Sequence, residues 1–89
     1  MKIMKNAVAG TLESSDAYVK VEPSNSGIEI VLESVVMAQF GEDIKASIAE
    51  VLKENDVTSG KIFVNDRGAI DCTIRARVET AIKRAQGDL

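Results

Sequence analysis

Residues 10–16 read Gly10-Thr11-Leu12-Glu13-Ser14-Ser15-Asp16, and an apolar run flanks them on each side. Ala7-Val8-Ala9 precedes the stretch, and Ala17-Tyr18-Val19-Lys20-Val21 follows it. The pattern predicts two strands joined by a surface loop that carries two neighbouring hydroxyls and two carboxylates. Short polar side chains favour turns because they bond to the adjacent backbone, so on spacing alone an ordinary turn is the simpler explanation.

The composition of the chain bounds its class. Of its 89 residues, 45% are hydrophobic and 28% charged, which is typical of one small folded domain spanning 1–89. The net charge of −3 disfavours nucleic acid as a partner, since phosphate binding calls for a basic surface. The chain contains no apolar run of the roughly 20 residues that a membrane span needs, and no signal peptide is visible. With Cys72 as its one cysteine, we expect a cytoplasmic protein that binds no membrane.

Three strands are predicted in the first part of the chain, near residues 7–12, 17–22 and 28–33. The second and third alternate apolar and polar residues, which is the period of a half-buried strand. We expect the three to form an antiparallel meander whose apolar face needs a cover.

Two helices, predicted from the spacing of apolar residues, supply that cover. Apolar residues between Val36 and Leu52 fall on one arc of a helix, for which Ser34 is the expected N-cap. Gly41 is the position where we expect this helix to break or bend. A fourth strand is predicted at 61–65, and a second helix from Ala69 to about Ala85 that Gly87 stops.

The order β-β-β-α-β-α predicts an α+β fold, a small antiparallel-type sheet with two helices packed on one face. The expected core consists of the inward positions of these elements, namely Val19, Val21, Ile28, Ile30, Leu32, Phe40, Ile44, Ile48, Leu52, Ile62, Val64, Ile70, Ile74 and Val78.

The sequence limits the chemistry that the chain performs alone. It has no histidine, which excludes Ser-His-Asp and Cys-His catalysis and imidazole metal sites within the chain. Cys72 is a candidate acyl-accepting thiol, but Asp71 beside it opposes a thiolate, so a packing or subunit contact is the better explanation. We therefore expect no catalytic residue and no metal ligand. Ser14 remains as an exposed hydroxyl that another enzyme would have to activate.

The opening run Ala7-Val8-Ala9-Gly10-Thr11-Leu12-Glu13-Ser14 closely resembles the start of the acyl carrier (gamma) subunit of citrate lyase. Three further segments resemble that family, so the similarity covers nearly the whole chain: Gln39-Phe40-Gly41, Val51-Leu52 and Gly68-Ala69-Ile70-Asp71-Cys72-Thr73-Ile74-Arg75-Ala76-Arg77. The resemblance implies a non-catalytic carrier subunit, a cytoplasmic phosphoprotein of citrate fermentation.

The resemblance also implies a prosthetic group. In that family the serine that ends the opening run carries a covalent 2'-(5''-phosphoribosyl)-3'-dephospho-CoA arm, and register places it on Ser14 rather than Ser15. We expect Glu13 and Asp16 to repel the phosphodiester and help keep the arm extended. The implied arm holds acetyl and citryl thioesters while citrate is cleaved to acetate and oxaloacetate. The implied partners are the alpha (acyl transferase) and beta (acyl lyase) subunits and the enzyme that attaches the arm, without which recombinant protein should be bare.

Two alternatives stay open at this point. One is the equivalent carrier subunit of citramalate lyase or malonate decarboxylase, and the other is a non-carrier interaction module in which Ser14 is an unmodified turn residue. If both helices cover one face of the sheet, its other face presents Tyr18, Val31 and Phe63, flanked by Lys20 and Lys61. We expect that face to contact a catalytic subunit or another carrier.

Overall fold

The computed structural model describes residues 1–87, which form four strands and two helices in the order β-β-β-α-β-α. The elements are β1 (Ala7–Gly10), β2 (Ala17–Glu22), β3 (Ile28–Ser34), α1 (Met37–Glu54), β4 (Gly60–Asp66) and α2 (Asp71–Gln86). The predicted α+β class and element order are confirmed. Within residues 1–87, neither helix is both long enough and apolar enough to cross a membrane.

The sheet is mixed, which corrects the predicted antiparallel meander. Its strand order is β1-β2-β4-β3, with β1–β2 and β2–β4 antiparallel and β3–β4 parallel. Parallel neighbours need a crossover connection, and α1 supplies it between β3 and β4. The fourth strand therefore lies between β2 and β3, which do not pair with each other.

The core lies between one face of the sheet and the two helices, as predicted. Most of the expected inward residues are buried there: Val19, Val21, Leu32, Ile44, Ile48, Leu52, Ile62, Val64, Ile74 and Val78. Ile30 is partly buried and packs against this cluster. The N-terminal segment adds Ile3, a core residue that no strand or helix pattern identified, and the Ile3 amide donates to the Ser59 carbonyl at 2.8 Å.

Three residues expected in the core are exposed instead: Ile28, Phe40 and Ile70. Ile70 precedes α2 in an extended conformation (φ −75°, ψ 160°), so the helical period does not apply to it. Ile28 begins an edge strand and pairs with Gly60, which offers no side chain to pack against. Phe40 lies in the first turn of α1, beside a groove between the starts of the two helices that stays open.

The helix ends differ from the prediction in detail. Val36, not Ser34, is the N-cap residue of α1, and no side chain caps that helix. The expected break at Gly41 is absent, because α1 runs without interruption through this buried glycine. The predicted stop of α2 is confirmed, since Gly87 takes the left-handed conformation (φ 83°) that favours glycine at a helix end.

Candidate functional site

Residues 11–16 connect β1 to β2 at the point where Gly10 pairs with Tyr18. Gly10 has a φ of +83°, and a Cβ built on it would lie 1.8 Å from the Ala17 carbonyl oxygen. The same atom would lie 3.0 Å from Cδ of Arg77 on α2. Only glycine fits this position, because its backbone approaches both β2 and α2 closely.

The Asp16 carboxylate accepts four hydrogen bonds and holds the loop closed. Oδ2 accepts from the Thr11 amide at 3.1 Å and from the Thr11 hydroxyl at 2.7 Å. Oδ1 accepts from the Ala17 amide at 2.7 Å and from Nε of Arg77 at 2.9 Å. The carboxylate thus joins both ends of the loop to α2. Because Arg77 pairs with it, the Asp16 carboxylate is not a free surface charge. The expectation that Glu13 and Asp16 repel the phosphodiester of an attached arm stays a prediction.

These bonds also fix the ionisation state of Asp16. The hydrogen bond from Thr11, followed by those from Arg77 and the Ala17 amide, holds the pKa of Asp16 far below its ordinary value of 3.8. Each donor favours the charged form of the carboxyl group. The group therefore stays ionised at neutral pH, and the closure of the loop stays intact.

Ser15 is the residue at which the loop turns back. Its φ of 68° lies in the left-handed region, which is uncommon for a residue other than glycine. The Ser15 amide donates to the Arg67 carbonyl at 2.9 Å, and the Arg67 amide donates to the Asp16 carbonyl at 2.9 Å. The segment after β4 therefore supports the loop from the side opposite to β1.

Ser14 lies at the exposed tip that these anchors surround. The Glu13 amide donates to the Thr11 hydroxyl at 3.2 Å, and the Asp16 amide donates to the Glu13 carbonyl at 3.1 Å. Among residues 1–87, no hydrogen bond engages the Ser14 hydroxyl. The loop therefore presents a free hydroxyl on a tethered backbone, an arrangement suited to modification by a second enzyme.

The sequence patterns missed a buried acid beneath this loop. Asp66, at the end of β4, is fully buried and accepts from the Ser34 hydroxyl at 2.7 Å, the Ala69 amide at 2.8 Å and the Gly68 amide at 3.2 Å. It thereby fixes the turn that carries Arg67. A signal was present, because an aspartate that starts a glycine-containing turn commonly bonds to the amides that follow it.

Cys72 and Asp71 belong to neither the loop nor the core. Cys72 is an exposed free thiol in the first turn of α2, so packing within the chain does not account for it. The Asp71 carboxylate accepts from the Ser47 hydroxyl at 2.5 Å and from Nε of Arg75 at 2.7 Å, and these two bonds lower its pKa. Asp71 therefore links the two helices.

Known proteins of similar sequence include acyl carrier proteins. A family model described as malonate decarboxylase delta subunit (MdcD) matches residues 4–85. A citrate lyase acyl carrier protein of Pectobacterium atrosepticum is 51% identical over 85 residues, which cover 96% of this chain and 88% of that relative. A citrate lyase acyl carrier protein of Treponema denticola is 49% identical over 85 residues, which cover 96% of this chain and 97% of the relative.

A similar solved structure is a chain in the crystal structure of a Pseudomonas malonate decarboxylase hetero-tetramer in complex with malonate. The TM-score is 0.83 at 20% identity, over 96% of this chain and 88% of that chain, so the fold is shared. The relatives define the class of this protein, a small acyl carrier subunit that is non-catalytic by itself and bears a covalently attached prosthetic group. The chain belongs to the citrate lyase acyl carrier protein family.

Proposed function

We propose that this chain is the acyl carrier subunit of citrate lyase, acting as one carrier domain in the cytoplasm, and that Ser14 is the attachment point of its prosthetic group. The observation that supports the proposal is the exposed Ser14 hydroxyl, free of hydrogen bonds among residues 1–87 and held on a loop that Asp16 closes. The proposed group is 2'-(5''-phosphoribosyl)-3'-dephospho-CoA, whose terminal thiol supplies thioester chemistry when the group is attached.

The residues at the loop fit such a group. Ser14 lies outside the core and outside both flanking strands, so a bulky substituent on its oxygen displaces no packed side chain. The chain has no histidine to activate the hydroxyl, so a base on the attaching enzyme removes its proton. Oγ of Ser14 then forms a phosphodiester bond to the donor, and the leaving group of the activated donor departs.

The role of the chain after attachment is to position the acyl group. A domain that bears a flexible tether raises the local concentration of its cargo at nearby active sites, to about millimolar for a short tether. The alpha subunit, an acyl transferase, and the beta subunit, an acyl lyase, supply the catalytic groups. This division agrees with a carrier that contains no histidine.

A second candidate is the corresponding subunit of malonate decarboxylase. It is favoured by the matching family description and by the fold shared with a chain of the Pseudomonas malonate decarboxylase hetero-tetramer. The relatives near 50% identity are citrate lyase carriers, so citrate lyase remains the first choice over malonate decarboxylase and citramalate lyase. The complex purified from the native host is assayed with citrate, citramalate and malonate as substrates. The acid that it converts identifies which of the three enzymes the carrier serves.

The prediction for Ser14 is tested by intact mass of the protein from its native host, followed by peptide mapping of residues 6–20. The wild-type protein should carry the mass of one arm on Ser14, and Ser14→Ala should carry none. The matched control is Ser15→Ala, which should keep both the arm and lyase activity. Ser14→Ala should change stability by less than about 0.5 kcal/mol, as is usual at exposed positions. Ser15→Ala keeps a Cβ at the same left-handed φ, and a thermal melt checks that it folds. Full lyase activity of the Ser14→Ala complex would refute the assignment.

A further inference from the structure

Large apolar side chains are exposed at the end of the molecule that carries the Ser14 loop. They come from three separate segments: the loop itself, the β3–α1 connection with the first turn of α1, and the turn before α2. These residues, here called the apolar rim, are Leu12, Val35, Met37, Phe40 and Ile70. Ile70 is 68% exposed and Val35 is 62% exposed. One exposed apolar residue is ordinary, whereas a group of them at one end of a protein is typical of an interaction surface.

Backbone contacts join the parts of the apolar rim to the loop. The Ser15 amide bonds to the Arg67 carbonyl, which lies three residues before Ile70. The Val35 amide donates to the Asp66 carbonyl at 3.2 Å, so the β3–α1 connection borders the same turn. Phe40 lines the groove between the helices together with Ala69. The apolar rim is therefore continuous with the segment that supports Ser14.

The groove that Phe40 lines carries acidic groups. Its lining combines apolar side chains with two carboxylates, Asp43 and Asp71, and includes no basic residue. Asp71 is already paired with Arg75. Asp43 has no ion pair within residues 1–87. An apolar side chain bordered by a lysine or an arginine fits this groove best.

We propose that the apolar rim is the docking surface for the enzyme that attaches the arm to Ser14. This inference rests on the proposed function of Ser14. An enzyme that acts on the hydroxyl itself has to enclose the loop, whereas a catalytic subunit that acts at the far end of a long arm does not. The occupant is therefore a protein that presents an apolar contact with basic side chains at its edge, next to its own active site.

The area of a stable contact indicates how far an enzyme seated on the Ser14 loop extends over the carrier. A specific interface buries about 800 Å² on each partner, which corresponds to a disc of roughly 16 Å radius. The principal extents of the whole carrier are 31, 24 and 18 Å. A contact of that size is as wide as the carrier itself, so an enzyme seated on the Ser14 loop also covers the neighbours of the loop. These are the turn at Arg67, which bonds to Ser15, and the β3–α1 connection, where Val35 bonds to Asp66.

The test uses the bare carrier, the purified attaching enzyme and its activated arm donor, with attachment followed by intact mass. Ile70→Ser and Val35→Ser should each raise the KM for the carrier about tenfold, the equivalent of about 1.4 kcal/mol, and leave kcat unchanged. Ile70→Ser should also fold, because serine is a favoured residue at this N-cap position of α2. Thermal melts of the bare variants check the fold independently.

The matched control is Ile28→Ser. Ile28 is 43% exposed at the opposite end of β3, about 20 Å along the strand from Ser34, so its KM should equal that of the wild type. An unchanged KM for both Ile70→Ser and Val35→Ser overturns the docking proposal, as does a loss of kcat alone. Weaker assembly with the alpha and beta subunits at unchanged attachment KM also overturns it. Wild-type protein that accepts no arm refutes the function of Ser14 itself, so the two failures are distinguishable.

Discussion

Asp16 joins three parts of the chain that are far apart in sequence. Its carboxylate accepts hydrogen bonds from Thr11 at the start of the loop and from Ala17 at the start of β2. It also accepts one from Arg77, which lies 61 residues away on α2. A charge-assisted bond to arginine is stronger than a bond between neutral groups and has a fixed geometry. The position of Ser14 is thus set partly by a helix that does not belong to its hairpin.

The depressed pKa of Asp16 predicts a dependence of stability on pH. Because the folded pKa lies below the ordinary value of 3.8, the ionised group stabilises the fold above that value, and the contribution is lost as pH falls toward the folded pKa. Asp16→Asn should therefore lower the free energy of unfolding at pH 7, and the difference from wild type should shrink below about pH 4. Urea unfolding at pH 7, 4 and 3 measures it.

The difference in the free energy of unfolding between wild type and Asp16→Asn reports on Asp16 alone and not on the other acidic residues. Asp71 also has a lowered pKa and contributes to both proteins alike. The control is Glu13→Gln, in the same loop, because the Glu13 carboxylate is exposed and makes no ion pair within residues 1–87. A pH-independent difference for Asp16→Asn would contradict the assigned role.

At the level of the element, α2 serves both the core and the loop. Ile74, Val78 and Ile82 are buried against the sheet and α1. Arg77 leaves the same helix toward Asp16, and the Arg84 side chain donates to the Val8 carbonyl at 2.8 Å. A change that loosens the packing of α2 should therefore also loosen the hairpin that carries Ser14.

Ile74→Ala tests the packing of α2. Ile74 is 2% exposed, so its truncation removes buried apolar surface and leaves a cavity, which should lower the free energy of unfolding by about 2–5 kcal/mol. Ile70→Ala is the matched control, because Ile70 is exposed and its loss should change stability by no more than about 0.5 kcal/mol. Chemical denaturation measures both variants. Equal stability of the two would contradict the assignment of the inner face.

The helical period predicted the inner faces of both helices but not where each face begins. Ile70 and Ile74 have the spacing of one helical face, yet α2 begins at Asp71, so Ile70 stands outside the helix. Phe40 has the correct phase in α1 and is nevertheless exposed. Periodicity reports the direction of a side chain, whereas burial also requires that another element reach that turn.

At the scale of the whole molecule, strand alternation predicted the strands but not their neighbours. The short connection between β2 and β3 is compatible with a hairpin, and nothing in the pattern of either strand opposes one. The length of α1 decides the topology, because a helix of 18 residues spans about 27 Å and returns the chain to the beginning of β3. The order strand–helix–strand was the signal for a parallel pair.

The sequence predicts that the site is a loop, but it does not predict the contacts that hold the loop in place. The run from Gly10 to Asp16 indicated an exposed turn, and the family resemblance indicated Ser14. The tie between Asp16 and Arg77 spans most of the chain, so no local pattern reports it. The same holds for the bond between the Ser15 amide and the Arg67 carbonyl. Contacts of this kind depend on how the elements pack.

The face of the sheet opposite the helices bears apolar and basic groups together. Tyr18 and Phe63 are partly exposed there, and Val31 on the edge strand is exposed. Lys61 and Lys20 place their ammonium groups 4.9 and 6.0 Å from the centroid of the Phe63 ring. An aromatic ring between two cations suits a partner surface that offers an apolar contact bordered by carboxylates.

Phe63→Ser tests the expectation that this face contacts a catalytic subunit or another carrier. The change should weaken assembly of the complex, because it removes the aromatic ring from the centre of the face. The isolated carrier should keep its fold, because the Phe63 side chain lies on the side of β4 away from the core residues Ile62 and Val64. Analytical ultracentrifugation of the mixed subunits measures assembly, and a thermal melt measures the carrier alone.

Met4→Ser, at a highly exposed position before β1, is the control and should assemble normally. A partner edge of carboxylates further predicts that added salt weakens wild-type assembly, since exposed charge pairs are screened. Unchanged assembly of Phe63→Ser, or an unfolded carrier, would show that the ring serves the fold of this chain and not a partner.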